Sequence, residues 1–251
     1  LKHPRNQRMS FEIVHALRVI RHSWRDKAGP FDIDHRTERN ILRWVVRELR
    51  SVYLDAYVWH RYLRERGDQR MEGAVLLLDS ALGERVLRVA EWALDAMVLL
   101  DREGLITWGR RDLDMRDAGN RLDMIEILES LGSHRIGALT VPLLKFESWE
   151  AIGKQGRFLV KYSRGGVQQG LAHFLESENR WVCLCALFAL VEGRSDGRLS
   201  GQDIKALKRI ATDSGRHIAH AAQAVIENGG GGERTVESFQ LLETVLFLKQ
   251  T

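Results

Sequence analysis

Two histidines near the C-terminal end have the residue type and the spacing that could hold a metal ion. His217 and His220 are three residues apart, so in a helix their imidazoles lie on one side. A structural zinc ion takes four ligands, and neither a cysteine nor a carboxylate nearby completes a set with this pair. We therefore predict no metal site and no cofactor.

Three aspartates in a short polar segment form a second group that could bind a cation. Arginines beside these carboxylates neutralise their charge. The cluster comprises Asp112, Asp114 and Asp117 with Arg110, Arg111 and Arg116. We interpret it as a capping and salt-bridged turn rather than a binding site.

The glycine-rich segments lack the patterns that cradle phosphates. Neither Gly165-Gly166 nor the run 229–232 fits the dinucleotide fingerprint or the P-loop, and neither follows a predicted strand. We predict no catalytic residue and no cofactor-binding residue. The chain is therefore not expected to be an enzyme.

A row of arginines on one predicted helix is the best candidate for a binding surface. Their positions advance by three or four residues, so they lie on one side of a helix over 35–66. This arginine stripe consists of Arg36, Arg39, Arg43, Arg47 and Arg50. The apolar positions Ile41, Val45, Leu49 and Val52 lie off the stripe and face the core.

The arginine stripe predicts an anionic counterpart, and the sequence leaves its identity open. Anionic lipid head groups of an inner leaflet and an acidic partner protein both fit. Duplex DNA fits less well, because no groove-reading motif accompanies the charge. The remaining interpretation is a solvated helix face without a partner.

The composition favours a helical protein. The chain has 251 residues, and only three of them are prolines, which leaves long stretches free for helices. Residues 1–70 contain 16 basic and 9 acidic side chains, whereas the net charge of the whole chain is only +4. The uncharged run from Trp181 to Val191 is too short for a spanning helix, which needs about 18 residues. Cys183 and Cys185 point to different helix faces, which predicts reduced thiols in the cytosol.

Apolar periodicity predicts helices along nearly the whole chain. Asp34 is the expected N-cap of the long helix, and Gly29-Pro30 separates it from the preceding one. The predicted helices are 10–25, 35–66, 71–100, 116–131, 135–146, 149–162, 166–177, 179–192, 200–212, 215–227 and 234–249. Strands are not expected, since apolar residues rarely alternate with polar ones.

The C-terminal half contains an internal repeat with a period of 36 residues. Two helices per 36 residues is the scale of a helical-hairpin solenoid. The matched pairs are Leu171 with Leu207, Phe174 with Ile210, Val182 with Ile218, Ala186 with Ala222, and Leu190 with Ile226. The pattern resembles HEAT repeats, in which an alanine allows two helices to approach closely.

Several segments also follow one another as they do in a family of large bacterial membrane proteins. These segments are Glu84–Leu100, Arg121–Leu131, Val141–Leu144 and Leu242–Lys249. The chain resembles the HEAT-repeat region of these proteins, which join a nucleotide-carrier-like (ATP/ADP translocase-related) membrane domain to a cyclic-nucleotide-binding domain. The resemblance implies that this chain is the middle piece of a longer polypeptide. The resemblance assigns no transport or nucleotide-sensing role to any residue of this chain. The glycine-containing stretch 149–162 departs from the family pattern.

The predicted fold is therefore all-α: an irregular HEAT-like α-solenoid with a long N-terminal helix. Residues 1–70 form a basic helical segment, and residues 71–251 form HEAT-like repeats that end in a linker helix. The predicted function is a non-catalytic scaffold or interaction domain, a cytoplasmic part of a larger membrane-associated protein or complex. Its expected partners are proteins, flanking domains or the anionic inner face of the membrane, and not nucleic acid. The oligomeric state stays open.

The alternative is a nucleic-acid-binding HEAT-like protein of the DNA glycosylase type. Tryptophans near helix ends, with arginines beside them, could stack on unpaired bases. The tryptophans at such positions are Trp24, Trp108, Trp149 and Trp181, whereas Trp44, Trp59 and Trp92 fit the core faces of helices. A positively charged concave surface would favour this alternative.

Overall fold

The computed structural model describes the backbone of seven parts of the chain. These are residues 33–66, 73–100, 117–130, 135–155, 170–192, 201–213 and 216–227. Within these ranges all regular structure is α-helical, which confirms the predicted all-α class. The predicted helices 10–25 and 234–249, the glycine run 229–232 and Gly165-Gly166 lie outside the described residues.

The described ranges contain nine helices, most of them close to the predicted bounds. They are α1 (His35–Arg66), α2 (Gly73–Leu100), α3 (Ala118–Ser130), α4 (Arg135–Lys145), α5 (Trp149–Gln155), α6 (Leu171–Leu175), α7 (Arg180–Glu192), α8 (Gly201–Asp213) and α9 (Arg216–Glu227). The helix predicted over 166–177 is shorter, and α6 begins only at Leu171. Gly170 precedes it with φ 74° and ψ −145°, a backbone conformation that a helix cannot contain.

The chain divides into two compact units. Unit 1 comprises residues 1–60 and 83–162, and unit 2 comprises residues 61–82 and 163–251. The long helices α1 and α2 therefore contribute residues to both units. The expected division into a basic segment, residues 1–70, and repeats, residues 71–251, stays a prediction.

Helix α1 begins as the sequence predicts, with Asp34 as its N-cap. The Asp34 carboxylate accepts hydrogen bonds from the backbone N–H groups of Arg36 and Thr37, at 2.8 and 2.9 Å. It also accepts one from the Thr37 hydroxyl, and this bond is the largest cause of its lowered pKa. The predicted apolar face is confirmed, because Ile41, Val45, Leu49, Val52, Ala56 and Trp59 are all buried.

The core of unit 1 joins buried residues from helices α1 to α5. Helices α1 and α2 pack antiparallel, since the Trp44 ring lies 5.4 Å from that of Trp92 and Asp55 pairs with Arg85 further along α1. Helix α5 approaches the α1 backbone closely at Gly153. A Cβ atom built there would lie 3.2 Å from the Cα atom of Tyr57.

Substituting Gly153 tests this close approach. We expect Gly153→Ala to lower the stability of unit 1 by about 1 kcal/mol, because the new methyl group meets backbone atoms that yield little. Gly83→Ala is the matched control, since a Cβ at Gly83 in α2 has nothing within 4 Å. That change should stabilise by about 0.5–1 kcal/mol through helix propensity. Chemical denaturation of both variants measures the difference, and equal shifts in the same direction would contradict the close packing.

Unit 2 contains two helical hairpins. Helix α6 contacts α7, and α8 contacts α9. The first helices of the two hairpins contact each other, as do the second helices. An ion pair of 2.6 Å between Glu176 and Arg209 also links the hairpins. Ala186 in α7 and Ala222 in α9 are both fully buried, as the alignment at 36 residues predicts.

Candidate anion-binding surface

All five members of the arginine stripe are exposed on α1. They occupy the first half of the helix and follow each other at steps of three or four residues. From Arg36 to Arg50 the stripe extends about 21 Å, given a rise of about 1.5 Å per residue. The structure thus presents these side chains to solvent, while their role in binding stays a prediction.

The arginine stripe is narrow because the rest of α1 is covered. Between residues 39 and 50, the exposed positions are arginines with the single exception of Asn40. The other positions in this span are buried or half-buried, including Leu42 and Val46 beside the stripe. Arginine side chains therefore account for most of the exposed positions in this part of α1.

Helix α5 covers the continuation of the stripe. Tyr57 lies seven residues beyond Arg50, which is about two turns further along the same side of α1. Gly153 of α5 packs against the backbone at that point, and no residue from 51 to 60 is exposed. The stripe thus begins at the Asp34 cap and ends where α5 begins to cover the helix.

Four of the five arginines have no carboxylate at ion-pair distance within the described residues. Arg47 is the exception, since its guanidinium lies 3.0 Å from the carboxylate of Glu48, which is almost fully buried. The charges without such a partner belong to Arg36, Arg39, Arg43 and Arg50. They are available to an external anion, whereas Arg47 also compensates a buried charge.

Several buried polar side chains of unit 1 form hydrogen bonds and an ion pair that link its helices. Asp55 and Arg85 form an ion pair whose side chains are 8% and 11% exposed, and Arg85 also donates to the Ser51 hydroxyl at 2.9 Å. The Tyr53 hydroxyl donates to the carbonyl oxygen of Leu139 in α4 at 2.7 Å. Burial raises the pKa of Tyr53 well above its usual value. These bonds join α1 to α2 and to α4.

Helix α3 exposes a second charged surface, which the sequence analysis did not identify. Leu122 and Ile127 are apolar residues of this helix, yet they are 66% and 37% exposed. The helix buries only Met124, Ile125 and Leu128. We call the exposed residues Leu122, Asp123, Glu126 and Ile127 the acidic face. No described cation lies at ion-pair distance from Asp123 or Glu126.

The aspartates and histidines considered as possible metal ligands do not form a binding site among the described residues. Asp112 and Asp114 lie outside the described residues, whereas Asp117 accepts a hydrogen bond from the backbone N–H of Asn120 at 2.9 Å, so it caps α3 as predicted. His220 is exposed, and the side chain of His217 is outside the description. Where the structure describes side chains, no group of three or more His, Cys, Asp or Glu is placed to hold a metal ion.

Both cysteines are buried in α7. The Cys183 thiol donates to the carbonyl oxygen of Leu175 at 3.2 Å, and burial raises its pKa to about 12. A thiol with such a pKa is protonated near neutral pH, and only the thiolate is nucleophilic. Cys183 therefore packs as a core residue.

The described tryptophans follow the expected division only in part, because Trp149 packs against the core of unit 1 as Trp92 does. Trp44 and Trp59 are buried and Trp92 is half-buried against the core of unit 1. Trp181 is 37% exposed at the start of α7, and Trp149 is half-buried. Trp24 and Trp108 lie outside the described residues.

One short segment matches the sequence pattern of a catalytic serine. Residues 193–197 read Gly-Arg-Ser-Asp-Gly, which fits the Gly-x-Ser-x-Gly pattern of a nucleophile elbow. That elbow places its serine on a turn from a strand to a helix. Residues 193–197 lie outside the described residues, but the element before them is α7, a helix. The required context is therefore not met.

Comparison of the chain with known protein families, with curated proteins and with solved structures found no match. Among the helices that the structure describes, none combines the length and the apolar character needed to cross a membrane.

Proposed function

We propose that this chain is a non-catalytic helical scaffold that contacts an anionic surface through its arginine stripe. The main observation in support is that arginines occupy four of the five exposed positions of α1 from residue 39 to residue 50. The buried ion pair between Asp55 and Arg85 and the buried hydroxyl groups of Tyr53 and Thr140 have partners inside the protein. Those groups stabilise the fold, and the stripe is free to contact a partner.

The hairpins of unit 2 support the scaffold part of this proposal. In a HEAT-like solenoid, successive hairpins stack so that first helices meet first helices and second helices meet second helices. Unit 2 has these contacts, with Ala186 and Ala222 buried at matching positions. A solenoid offers an extended surface for partner proteins or flanking domains.

The anionic inner face of a membrane is the proposed counterpart of the stripe. Anionic lipids attract basic residues at a surface with about 1 kcal/mol per well-placed Lys or Arg. Five arginines on one line of a helix can approach a flat surface together, which gives about 5 kcal/mol in total. The resemblance drawn from the sequence, to a cytoplasmic region beside a membrane domain, supports this choice of counterpart.

Vesicle binding tests the proposal. We expect the chain to bind vesicles of phosphatidylserine and phosphatidylcholine, and not vesicles of phosphatidylcholine alone. Changing all five stripe arginines to glutamine should weaken the binding roughly four-thousandfold, because about 5 kcal/mol of attraction is removed. Flotation or surface plasmon resonance at physiological salt measures the change.

A control variant separates the stripe from net charge. It carries the same number of Arg→Gln and Lys→Gln changes at exposed positions elsewhere: Arg64, Arg88, Arg180, Lys205 and Lys208. This variant should bind vesicles nearly as the parent chain does. Equal losses in both variants would show that net charge alone governs binding. Tight, salt-resistant binding of random-sequence DNA would instead favour the nucleic-acid alternative.

A further inference from the structure

We infer that the arginine stripe of one copy binds the acidic face of a second copy of this chain. The inference rests on the proposed role of the stripe as a binding surface, and it names a partner for it. Both surfaces belong to unit 1, and both are exposed on helices. Each carries charges without a counter-ion among the described residues.

The acidic face has the composition of a contact surface. Leu122, at 66% exposure, is the most exposed large apolar side chain among the described residues. Asp123 lies next to it, and Glu126 follows one turn later, beside the exposed Ile127. Exposed apolar side chains that form a patch with a polar rim are typical of protein-contact sites. The charge of this face favours a basic partner, and the stripe is a basic surface on the same chain.

The charged residues of the acidic face and of the arginine stripe have the same spacing along their helices. Asp123 and Glu126 are three residues apart, the same step that separates Arg36 from Arg39 and Arg47 from Arg50. Two helices laid side by side can thus bring successive carboxylates to successive guanidiniums. Arginine can bind a carboxylate through two parallel hydrogen bonds. These bonds fix the orientation of the contact in addition to the charge attraction. Leu42 and Val46, half-buried beside the stripe, can meet Leu122 or Ile127.

The size of the surfaces determines the strength of the association. Each surface is one side of a short length of helix, which is smaller than the roughly 800 Å² per partner of a standard stable interface. The association is therefore weak, and it depends on salt, since charges exposed at an interface are screened by ions. Because lipid and the second copy use the same arginines, anionic vesicles compete with self-association.

Sedimentation velocity on the full chain tests the inference. We expect self-association at about 50 mM salt, and at least about a tenfold higher dissociation constant at about 500 mM. The stripe variant, with its five arginines changed to glutamine, and the face variant Asp123→Asn/Glu126→Gln should each lose the association at low salt. The control variant Glu84→Gln/Glu178→Gln removes two exposed carboxylates elsewhere and should associate as the parent does.

Mixing the two defective variants gives the decisive result. The stripe variant keeps an intact acidic face, and the face variant keeps an intact stripe. We expect the mixture to form mixed oligomers although each variant alone is monomeric. Loss of folding in either variant cannot produce that result, and circular dichroism checks that both remain helical.

Two outcomes overturn the inference while leaving the proposed function in place. The parent chain could remain monomeric at low salt and high concentration, or the mixture could stay monomeric, while the stripe still binds anionic vesicles. The face variant should bind those vesicles as the parent does, since it retains all five arginines. Failure of vesicle binding alone would instead contradict the proposed function and leave self-association standing.

Discussion

Replacing Asp55 with alanine is expected to destabilise unit 1 by about 3–5 kcal/mol. Asp55 in α1 and Arg85 in α2 form an ion pair that is almost excluded from water, with side-chain exposures of 8% and 11%. Removing the carboxylate takes away the negative charge at ion-pair distance from the buried guanidinium, which keeps its hydrogen bond to the neutral Ser51 hydroxyl. Less of the desolvation cost of that charge is then compensated. Urea denaturation followed by circular dichroism measures the loss.

A double variant tells the cost of breaking the ion pair apart from the loss of packing. Asp55→Leu combined with Arg85→Met replaces the pair with apolar groups of similar size, which in buried pairs is often neutral or stabilising. We expect this variant to be markedly more stable than Asp55→Ala. The exposed pair Arg61–Glu65 is a second control, and Glu65→Ala should cost only about 0–0.5 kcal/mol. Similar losses for Asp55→Ala and Glu65→Ala would show that the buried pair has no special role.

The regular parts of the fold could be predicted from the sequence. Helix α1 has its cap, its length and its buried face where the periodicity indicated, since Asp34 is a good N-cap and no proline interrupts residues 35–66. The apolar periodicity did not indicate a single buried face for α3, because apolar residues lie on most sides of this helix. Periodicity alone did not show which of them meet the core, and Leu122 and Ile127 proved exposed.

The candidate site was predictable only in part, for a related reason. The spacing of the arginines predicted that they share one side of α1, because that follows from helix geometry alone. That the stripe is narrow depends on how neighbouring elements cover α1, including α5 at Tyr57, which is a tertiary contact. The pairing of Asp55 with Arg85 joins residues 30 positions apart, and no local pattern indicates it.

Enlarging the two matched alanines of unit 2 is the second change with a large expected effect. Ala186→Leu and Ala222→Leu should each destabilise by about 1–3 kcal/mol, because the added carbons enter space that is already filled. Both residues are 0% exposed, and they lie in the second helices of the two hairpins, which contact each other. If the hairpins are copies of one repeat, the two positions are equivalent. We therefore expect the two losses to be similar in size, as measured by thermal and urea denaturation.

The control for this pair is Ala138→Leu on α4, where the alanine is exposed and the change should stay within about 0.5 kcal/mol. The double variant Ala186→Leu/Ala222→Leu adds a test of contact between the hairpins. Changes at distant, independent positions add in free energy, whereas changes at positions that share neighbours do not. Stacked second helices should thus give a loss that differs from the sum by about 0.5 kcal/mol or more. Two small and unequal losses that add would show that the 36-residue match is accidental and that the hairpins are not stacked repeats.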